Sequence, residues 1–434
     1  MFPFILDMRK YLVDKKEEIR SIEVKERLFD FPLTKDFIVS IVGPRRAGKT
    51  YSIFDFIKKN NLKDEDFLFV NFEDDAIKMK SREEVARMVS FHYETYGKYP
   101  KFIFLDELQA FENWQSFVYS LFEKKEFNIF ITGSSSKLLS KEIATELRGR
   151  TISLLVLPFS FKEFLKLKNF DTNIISTKQE DKVNSLLKEF LKEGGFPSIL
   201  LTGVNKSVFF RNYLDLVVFR DIVERFGIKN PSLVKMLMSS MISSFSKEFS
   251  VNKIYNLFKS KGMKVNKSTL YDYASFLEQV MFCFFLKKFG FSEKKSNLSI
   301  PKVYLNDVGL VNYSFSSNFE ENFGRLMENT VFLELKRKES KGLFDHLFYW
   351  KNYQDYEVDF VIKKGLEVKQ LIQVCYDLSN PDTKKRELRA LAKASEELKC
   401  NNLLVITWDY EKIEKFKNKE IKFTPLWKWL LQKQ

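Results

Sequence analysis

An apolar run, Phe37-Ile38-Val39-Ser40-Ile41-Val42, stops at Gly43-Pro44-Arg45-Arg46-Ala47-Gly48-Lys49-Thr50, and the stretch from Tyr51 to Asn60 begins at once. No other feature of the chain restricts its fold so tightly. The apolar run reads as a buried strand and the stretch after it as a helix. The segment between them fits G-x-x-x-x-G-K-[ST]. Glycines let the backbone curl so that N–H groups face phosphate oxygens. The lysine reaches the β and γ phosphates, and the Ser/Thr hydroxyl binds Mg²⁺. The following helix adds the positive end of its dipole. With 15 glycines among 434 residues, a chance match arises in about one chain in 200. Gly43, Pro44, Arg45, Arg46, Ala47, Gly48, Lys49 and Thr50 are therefore the candidate ligands of ATP, with Thr50 also a candidate magnesium ligand.

A second apolar strand, Phe102-Ile103-Phe104-Leu105, ends in Asp106 and Glu107. In this context Asp106 is expected to hold Mg²⁺, and Glu107 to orient and polarise the attacking water. The next strand ends Ile131-Thr132-Gly133-Ser134. Ser134 is a candidate sensor of the γ-phosphate, and a Ser-rich turn capping the next helix is the alternative. Arg148 and Arg150 follow. Either is a candidate to stabilise transition-state charge, on its own site or on a neighbouring subunit. An exposed pair at a helix end is the other reading.

Strands at 37–42, 67–72, 101–107, 127–133 and 151–157 alternate with helical stretches, which predicts a parallel sheet with right-handed crossovers. The first 30 or so residues read as a charged helix. From about 160 to 300 the pattern is helical. Residues 250–289 suggest two short helices, a turn at Gly262 and a third helix capped near Asn266 or Ser268, an arrangement resembling a winged helix-turn-helix. Strands return at 303–307, 346–351, 356–364, 369–377 and 402–409, with helices at 323–338 and 383–399. The expected fold class is α/β. A P-loop NTPase parallel sheet spans 1–160, a helical and winged-helix region 161–300, and a second α/β domain 301–434.

The formal charge is +14, which suits a polyanionic partner such as duplex DNA and equally suits a Lys-rich proteome. Lys253, Lys259, Lys261, Lys264 and Lys267 would meet phosphates if the winged-helix region binds DNA. The alternative is a protein partner. Phenylalanine is abundant, at 46 residues, and reads as core. The three cysteines, Cys283, Cys375 and Cys400, are widely spaced, and His92 and His346 are the only histidines. That spacing excludes a structural zinc site. The N-terminus lacks a signal-peptide pattern, and no stretch reaches the roughly 18 apolar residues of a membrane helix, so a cytoplasmic protein is expected. Trp427 and Trp429 are expected to dock the C-terminal segment onto the last domain.

The segments GPRRAGKT, FLDELQAFENWQ, TGSSSKLLS, LRGR and LPFSFKEF occur here in an order that resembles the archaeal and bacterial AAA+-like ATPases of the "archaeal ATPase" type. EGGFP (193–197), YLNDVGL (304–310), GRLMENTVFLEL (324–335) and EVDFVI (357–362) extend the resemblance over nearly the whole chain. It implies ATP-site roles for Lys49, Thr50, Asp106 and Glu107, a sensor at Ser134 and a finger at Arg148 or Arg150; a finger acting on a neighbouring subunit makes a homo-oligomer one expected arrangement. It also implies that 301–434 is a restriction-endonuclease-like domain of the PD-(D/E)xK type, with Glu328 and Asp359 as its acidic positions. The E-x-K positions read Gln373-Val374-Cys375. A neutral amide replaces a metal-binding carboxylate, and a thiol replaces the lysine ammonium. Nuclease activity is therefore expected to be absent. The expected function is a Mg²⁺-dependent ATPase that couples nucleotide state to DNA or a protein partner. The alternative is a slow nucleotide-dependent switch or scaffold.

Overall fold

The computed structural model describes residues 2–76, 82–111, 114–133, 147, 149–314 and 319–432. The chain divides into two compact units, Met1–Leu157 and Pro158–Gln434.

The first unit carries α1 (Phe2–Ser21), β1 (Ile38–Val42), α2 (Lys49–Lys59), β2 (Phe67–Asn71), α3 (Arg82–Tyr96), β3 (Phe102–Asp106), α4 (Trp114–Glu123), β4 (Asn128–Gly133) and β5 (Thr151–Leu155). Its strands form one sheet in the order β2-β3-β4-β1-β5, with every pairing parallel. Parallel strands covered on both faces are apolar along their whole length, and β1 is buried at every residue. Phenylalanine fills the layer above, with the rings of Phe31, Phe56, Phe104 and Phe130 packed 5.1 to 6.0 Å apart. The order sets β4 between β1 and β3, so the loop after β1 and the acidic tip of β3 are separated by the tip of β4. On the β2 side α1 is anchored by Lys16, whose Nζ donates to Asp64 O at 2.7 Å and lies 4.0 Å from the Tyr96 ring centre. Burial, the largest effect, lowers Lys16 to about 7 and the adjacent His92 to about 4.

The second unit begins with α5 (Phe161–Leu167), α6 (Thr177–Glu193), α7 (Pro197–Thr202) and α8 (Lys206–Leu216), which runs on as a π-helical stretch, Val217–Glu224. Next come α9 (Pro231–Ser243), β6 (Lys247–Glu248), α10 (Val251–Ser260), α11 (Lys267–Gln279), β7 (Cys283–Leu286), α12 (Glu293–Asn297) and β8 (Lys302–Leu305). The three strands are antiparallel in the order β6-β8-β7. One helix, not two, precedes the Gly262 turn within 250–289, and Cys283–Leu286 is a strand. Met281 takes a left-handed φ of 54°, which ends the helix. The aromatic residues after it suit a pleated, half-buried surface.

The chain ends with α13 (Gly309–Ser314), α14 (Phe323–Ser340), β9 (His346–Lys351), β10 (Glu357–Lys364), β11 (Glu367–Val374), α15 (Pro381–Leu398), β12 (Leu403–Thr407), β13 (Lys412–Phe416), β14 (Lys419–Pro425) and α16 (Leu426–Leu431). The strands form a mixed sheet in the order β13-β14-β12-β11-β10-β9. The β13–β14 hairpin adds an edge beyond the strands expected from sequence. Its turn uses Lys417 and Asn418, both at positive φ, in place of a glycine signal. Trp427 and Trp429 are buried on α16. The small sheet joins the large one where the continuation of β7 meets β9, with Phe289 N donating to Tyr349 O and Tyr349 N to Lys287 O.

Two segments singled out in the sequence, EGGFP and YLNDVGL, meet at Asp307. Its buried carboxylate accepts Gly195 N at 2.6 Å and Gly309 N at 2.8 Å. Burial is the largest effect on it and pushes it up to about 7. A Cβ on Gly309 would stand 2.5 Å from both Glu193 O and Phe210 Cζ. Gly309→Ala should lower stability by about 2–4 kcal/mol in urea unfolding. An unchanged midpoint would show that this clasp yields without loss.

Candidate nucleotide-binding site

The loop after β1 has the backbone its sequence predicts. Arg46 and Gly48 take left-handed φ values of 63° and 93°, and α2 starts at Lys49. Gly43 is required for a different reason. A Cβ there would stand 1.9 Å from Val156 O, so only glycine lets the loop start this close to the backbone beyond β5. Lys49 folds back along the loop, its Nζ 3.3 Å from Gly43 O and 3.4 Å from Pro44 O. It also lies 3.5 Å from Glu107 Oε1.

Asp106 ends β3 with no exposed surface. Thr50 Oγ1 donates to its Oδ2 at 2.8 Å, and Thr132 Oγ1 donates to its Oδ1 at 2.6 Å. Glu107 N in turn donates to Thr132 Oγ1 at 3.0 Å. Burial is the largest influence on Asp106, followed by repulsion from Glu107. Together they outweigh the two hydroxyls and Lys49 and push it up to about 6. Burial would raise Glu107 as well. The charge of Lys49, the hydrogen bond from Gln109 and the charge of Arg45 overcome it and hold Glu107 below the usual range. Gln109 Nε2 donates to Glu107 Oε2 at 2.6 Å. The backbone of Glu107 is left-handed, with φ 50°, which is strain of the kind that collects at functional sites. Adjacent carboxylates driven apart in this way can divide two roles between them. A hydroxyl and a carboxylate on one spot are hard oxygen donors that fit Mg²⁺, and the curled loop beside them fits a polyphosphate.

The residues expected from sequence thus meet in part. Gly43 to Thr50, Asp106 and Glu107 share one end of the sheet. Arg45 points its Nη2 toward Glu73 Oε1 at 3.5 Å. Arg150 lies at the other end. Its carbonyl accepts from Ile38 N at the start of β1, and its guanidinium pairs with Glu123 at 2.9 Å. Ser134 and Arg148, with the helical stretch expected between them, lie outside the described residues. Sequence reasoning missed Thr132 and Gln109, although both stand within two residues of positions it singled out. It also missed Arg27, which lies in a stretch without periodicity and donates to Ala47 O in the loop at 2.9 Å.

The acidic positions of the C-terminal segment form a second polar cluster. Glu328 on α14 and Asp359 on β10 converge, and between them lies an ammonium from an unexpected source. Lys302 Nζ, on β8, is 3.0 Å from Glu328 Oε1, 2.9 Å from Asp359 Oδ1 and 2.7 Å from Glu357 Oε1. Burial would lower Lys302, and the carboxylates, Asp359 first, raise it well above its ordinary value. Glu328 is pushed up to about 7 by burial and then by Asp359, against the pull of Lys302. Gln373 bridges the neighbours, donating to Glu387 Oε2 at 2.7 Å and accepting from Asp359 N at 3.3 Å. Cys375 is buried, and that burial pushes its thiol up to about 12. The sequence places no lysine beside Gln373, but the fold supplies one from another sheet.

A family model for the AAA domain matches residues 35–165. Models for two domains of unknown function, DUF8612 and DUF4143, match 184–321 and 323–429. With the loop, the magnesium-type oxygens and the all-parallel sheet, the first match makes this an AAA-type P-loop protein. An uncharacterised protein of Methanocaldococcus jannaschii is 41% identical over 432 residues, covering 97% of this chain and 94% of that protein. The chain belongs to the family of that archaeal protein. An uncharacterised protein of Haemophilus influenzae is 28% identical over 358 residues, covering 81% of this chain and 86% of that one. The AMPPCP-bound DnaA of Aquifex aeolicus aligns with a TM-score of 0.22 and 12% identity, covering 61% of this chain and 85% of its own. That likeness is too slight to bear on fold or function.

Two tests follow from these clusters. Asp106 is raised from 3.8 to about 6, so its ionised form opposes folding. That penalty is absent below the unfolded value and complete above the folded one. Asp106→Asn should therefore gain stability over the wild type as pH rises from about 4 to about 6, by on the order of 2 kcal/mol in nucleotide-free protein. Urea midpoints at both pH values check this, and a difference that does not grow would refute it. Lys302→Met should lose about 3–5 kcal/mol by stranding its carboxylates. Adding Glu328→Gln and Asp359→Asn should restore most of that loss, and a single variant as stable as the wild type would contradict the arrangement.

Proposed function

We propose that this protein is a Mg²⁺-dependent ATPase whose nucleotide state controls its grip on duplex DNA. The observation that carries the first half is the meeting of Lys49, Thr50, Asp106 and Glu107 at one end of the sheet, linked directly or through Thr132 by contacts of 2.6 to 3.5 Å. The loop N–H groups and Lys49 bind the β and γ phosphates. Thr50 and Asp106 would hold the metal, which when bound would offset the charge that builds on the phosphoryl oxygens. Glu107, kept ionised by Lys49, Gln109 and Arg45, orients the attacking water and accepts its proton. Lys49 releases Glu107 as it turns to the phosphates. Arg150 sits at the far end of the sheet from its own site, so as a finger it acts on a neighbouring copy in a homo-oligomer. Ser134 and Arg148 retain the sensor and finger roles that the family resemblance implies.

The reading of DNA as partner rests on helices α9, α10 and α11 with the antiparallel order β6-β8-β7, the plan of a winged helix. It also rests on the exposed side chains of Lys253, Lys259, Lys261, Lys264 and Lys267. Among the described residues no helix is long and apolar enough to cross a membrane. Nuclease activity is proposed to be absent because the ammonium of Lys302 fills the space between Glu328 and Asp359 where a metal ion would have to bind. Without DNA coupling, the same site serves a slow nucleotide-dependent switch acting on a protein partner.

Steady-state ATP hydrolysis with and without duplex DNA, at low and moderate salt, tests this. The expected result is turnover that DNA stimulates, that moderate salt weakens, and that Lys49→Ala and Glu107→Gln abolish. Glu107→Gln should still bind ATP. Turnover indifferent to DNA at both salt concentrations would overturn the DNA half in favour of a protein partner. Supercoiled plasmid should stay intact with Mg²⁺ or Mn²⁺, and cleavage lost in Asp359→Ala would disprove the nuclease statement.

A further inference from the structure

A loop that turns its N–H groups toward phosphate turns its carbonyls back into the protein, and each buried carbonyl then needs a donor. Ala47 stands in the middle of the phosphate loop with no exposed surface. Its carbonyl accepts from Arg27 Nη1 at 2.9 Å. The other arm of the same guanidinium, Nη2, donates to Leu157 O at 2.8 Å. Leu157 follows Val156, whose carbonyl is the atom that Gly43 packs against. One guanidinium therefore ties the middle of the loop to the backbone segment on which the start of the loop rests. Arg27 is itself fixed to α2. Its N–H donates to Asp55 Oδ2 at 3.0 Å and its carbonyl accepts from Lys59 Nζ at 3.1 Å. Only 4% of Arg27 is exposed.

We propose that Arg27 is the positioning residue of the phosphate loop, holding its curled form from the protein side before nucleotide arrives. This rests on the ATPase reading. Arginine suits the task because its planar fork reaches two carbonyls in fixed directions, and a lysine ammonium on a shorter, flexible stem does not. A preformed loop binds phosphate without first having to be ordered. The consequence falls on ATP affinity more than on the chemical step, since the two carbonyls that the guanidinium holds belong to the phosphate loop and to the segment behind it.

The test measures KM and kcat for ATP, and the ATP-induced rise in melting temperature, in the full chain. It compares wild type, Arg27→Lys, Arg27→Ala and Lys49→Ala. The expected result is a KM raised about tenfold to a hundredfold in Arg27→Ala and by less in Arg27→Lys, with kcat at saturating ATP within about threefold of wild type. The ATP-induced rise should shrink in the same order. Folded Arg27 variants that keep the wild-type KM and the wild-type rise would overturn the proposal. So would a fall in kcat at unchanged KM. If Arg27→Ala does not fold, Arg27→Lys decides by the same criteria. Wild-type protein without Lys49-dependent ATP binding would sink the ATPase reading, and this inference with it. Wild-type turnover beside unaltered Arg27 variants would sink this inference alone.

Discussion

The buried carboxylate of Asp106 takes a hydroxyl from each side, Thr50 from the helix that follows the phosphate loop and Thr132 from the strand between. A carboxylate in that position is expensive to keep ionised, and its raised titration range reflects this. The same dryness makes it an effective partner for a cation, because attraction grows as water is excluded. Glu107, one residue further, is held ionised by Lys49, Gln109 and Arg45. Sheet order produces the arrangement. With β4 between β1 and β3, Thr132 stands where it bridges the carboxylate of Asp106 and the backbone of Glu107.

A second set of buried carboxylates meets the opposite fate. Glu328, Glu357 and Asp359 gather around the ammonium of Lys302. That charge is delivered by the chain itself and cannot leave. Removing one partner from such a cluster strands the others, so it behaves as a fixed joint between β8, α14 and β10. In the proposed reading the first group of acids serves a cation that comes and goes, whereas the second is closed around a cation that is covalently part of the fold.

Much of the nucleotide end was legible beforehand, because its chemistry is local. Eight consecutive residues specify the curled loop, and two consecutive residues specify the carboxylates. Strand periodicity gave the alternation of the sheet, and a Phe-rich composition correctly anticipated its core. Thr132 and Gln109 escaped because a single Thr or Gln beside a motif carries no pattern of its own. Arg27 escaped more completely, since its partners are backbone carbonyls 20 and 130 positions away, and a carbonyl leaves no mark on sequence. The strand at Cys283–Leu286 was passed over because a short aromatic run has no period that separates helix from strand.

Lys302 shows where sequence reading stops. No lysine stands next to Gln373 or Cys375 along the chain. The fold brings one from more than 50 positions away, on a strand of a different sheet. Sequence alone determined the phosphate loop, the acidic strand tip and the parallel sheet that holds them, because short-range backbone geometry and hydrophobic period dictate all three. Tertiary structure alone decided which hydroxyls reach Asp106, which guanidinium stands behind the loop and which cation fills the second acidic cluster. Each of those depends on strand order and long-range closure, and neither has a local signature.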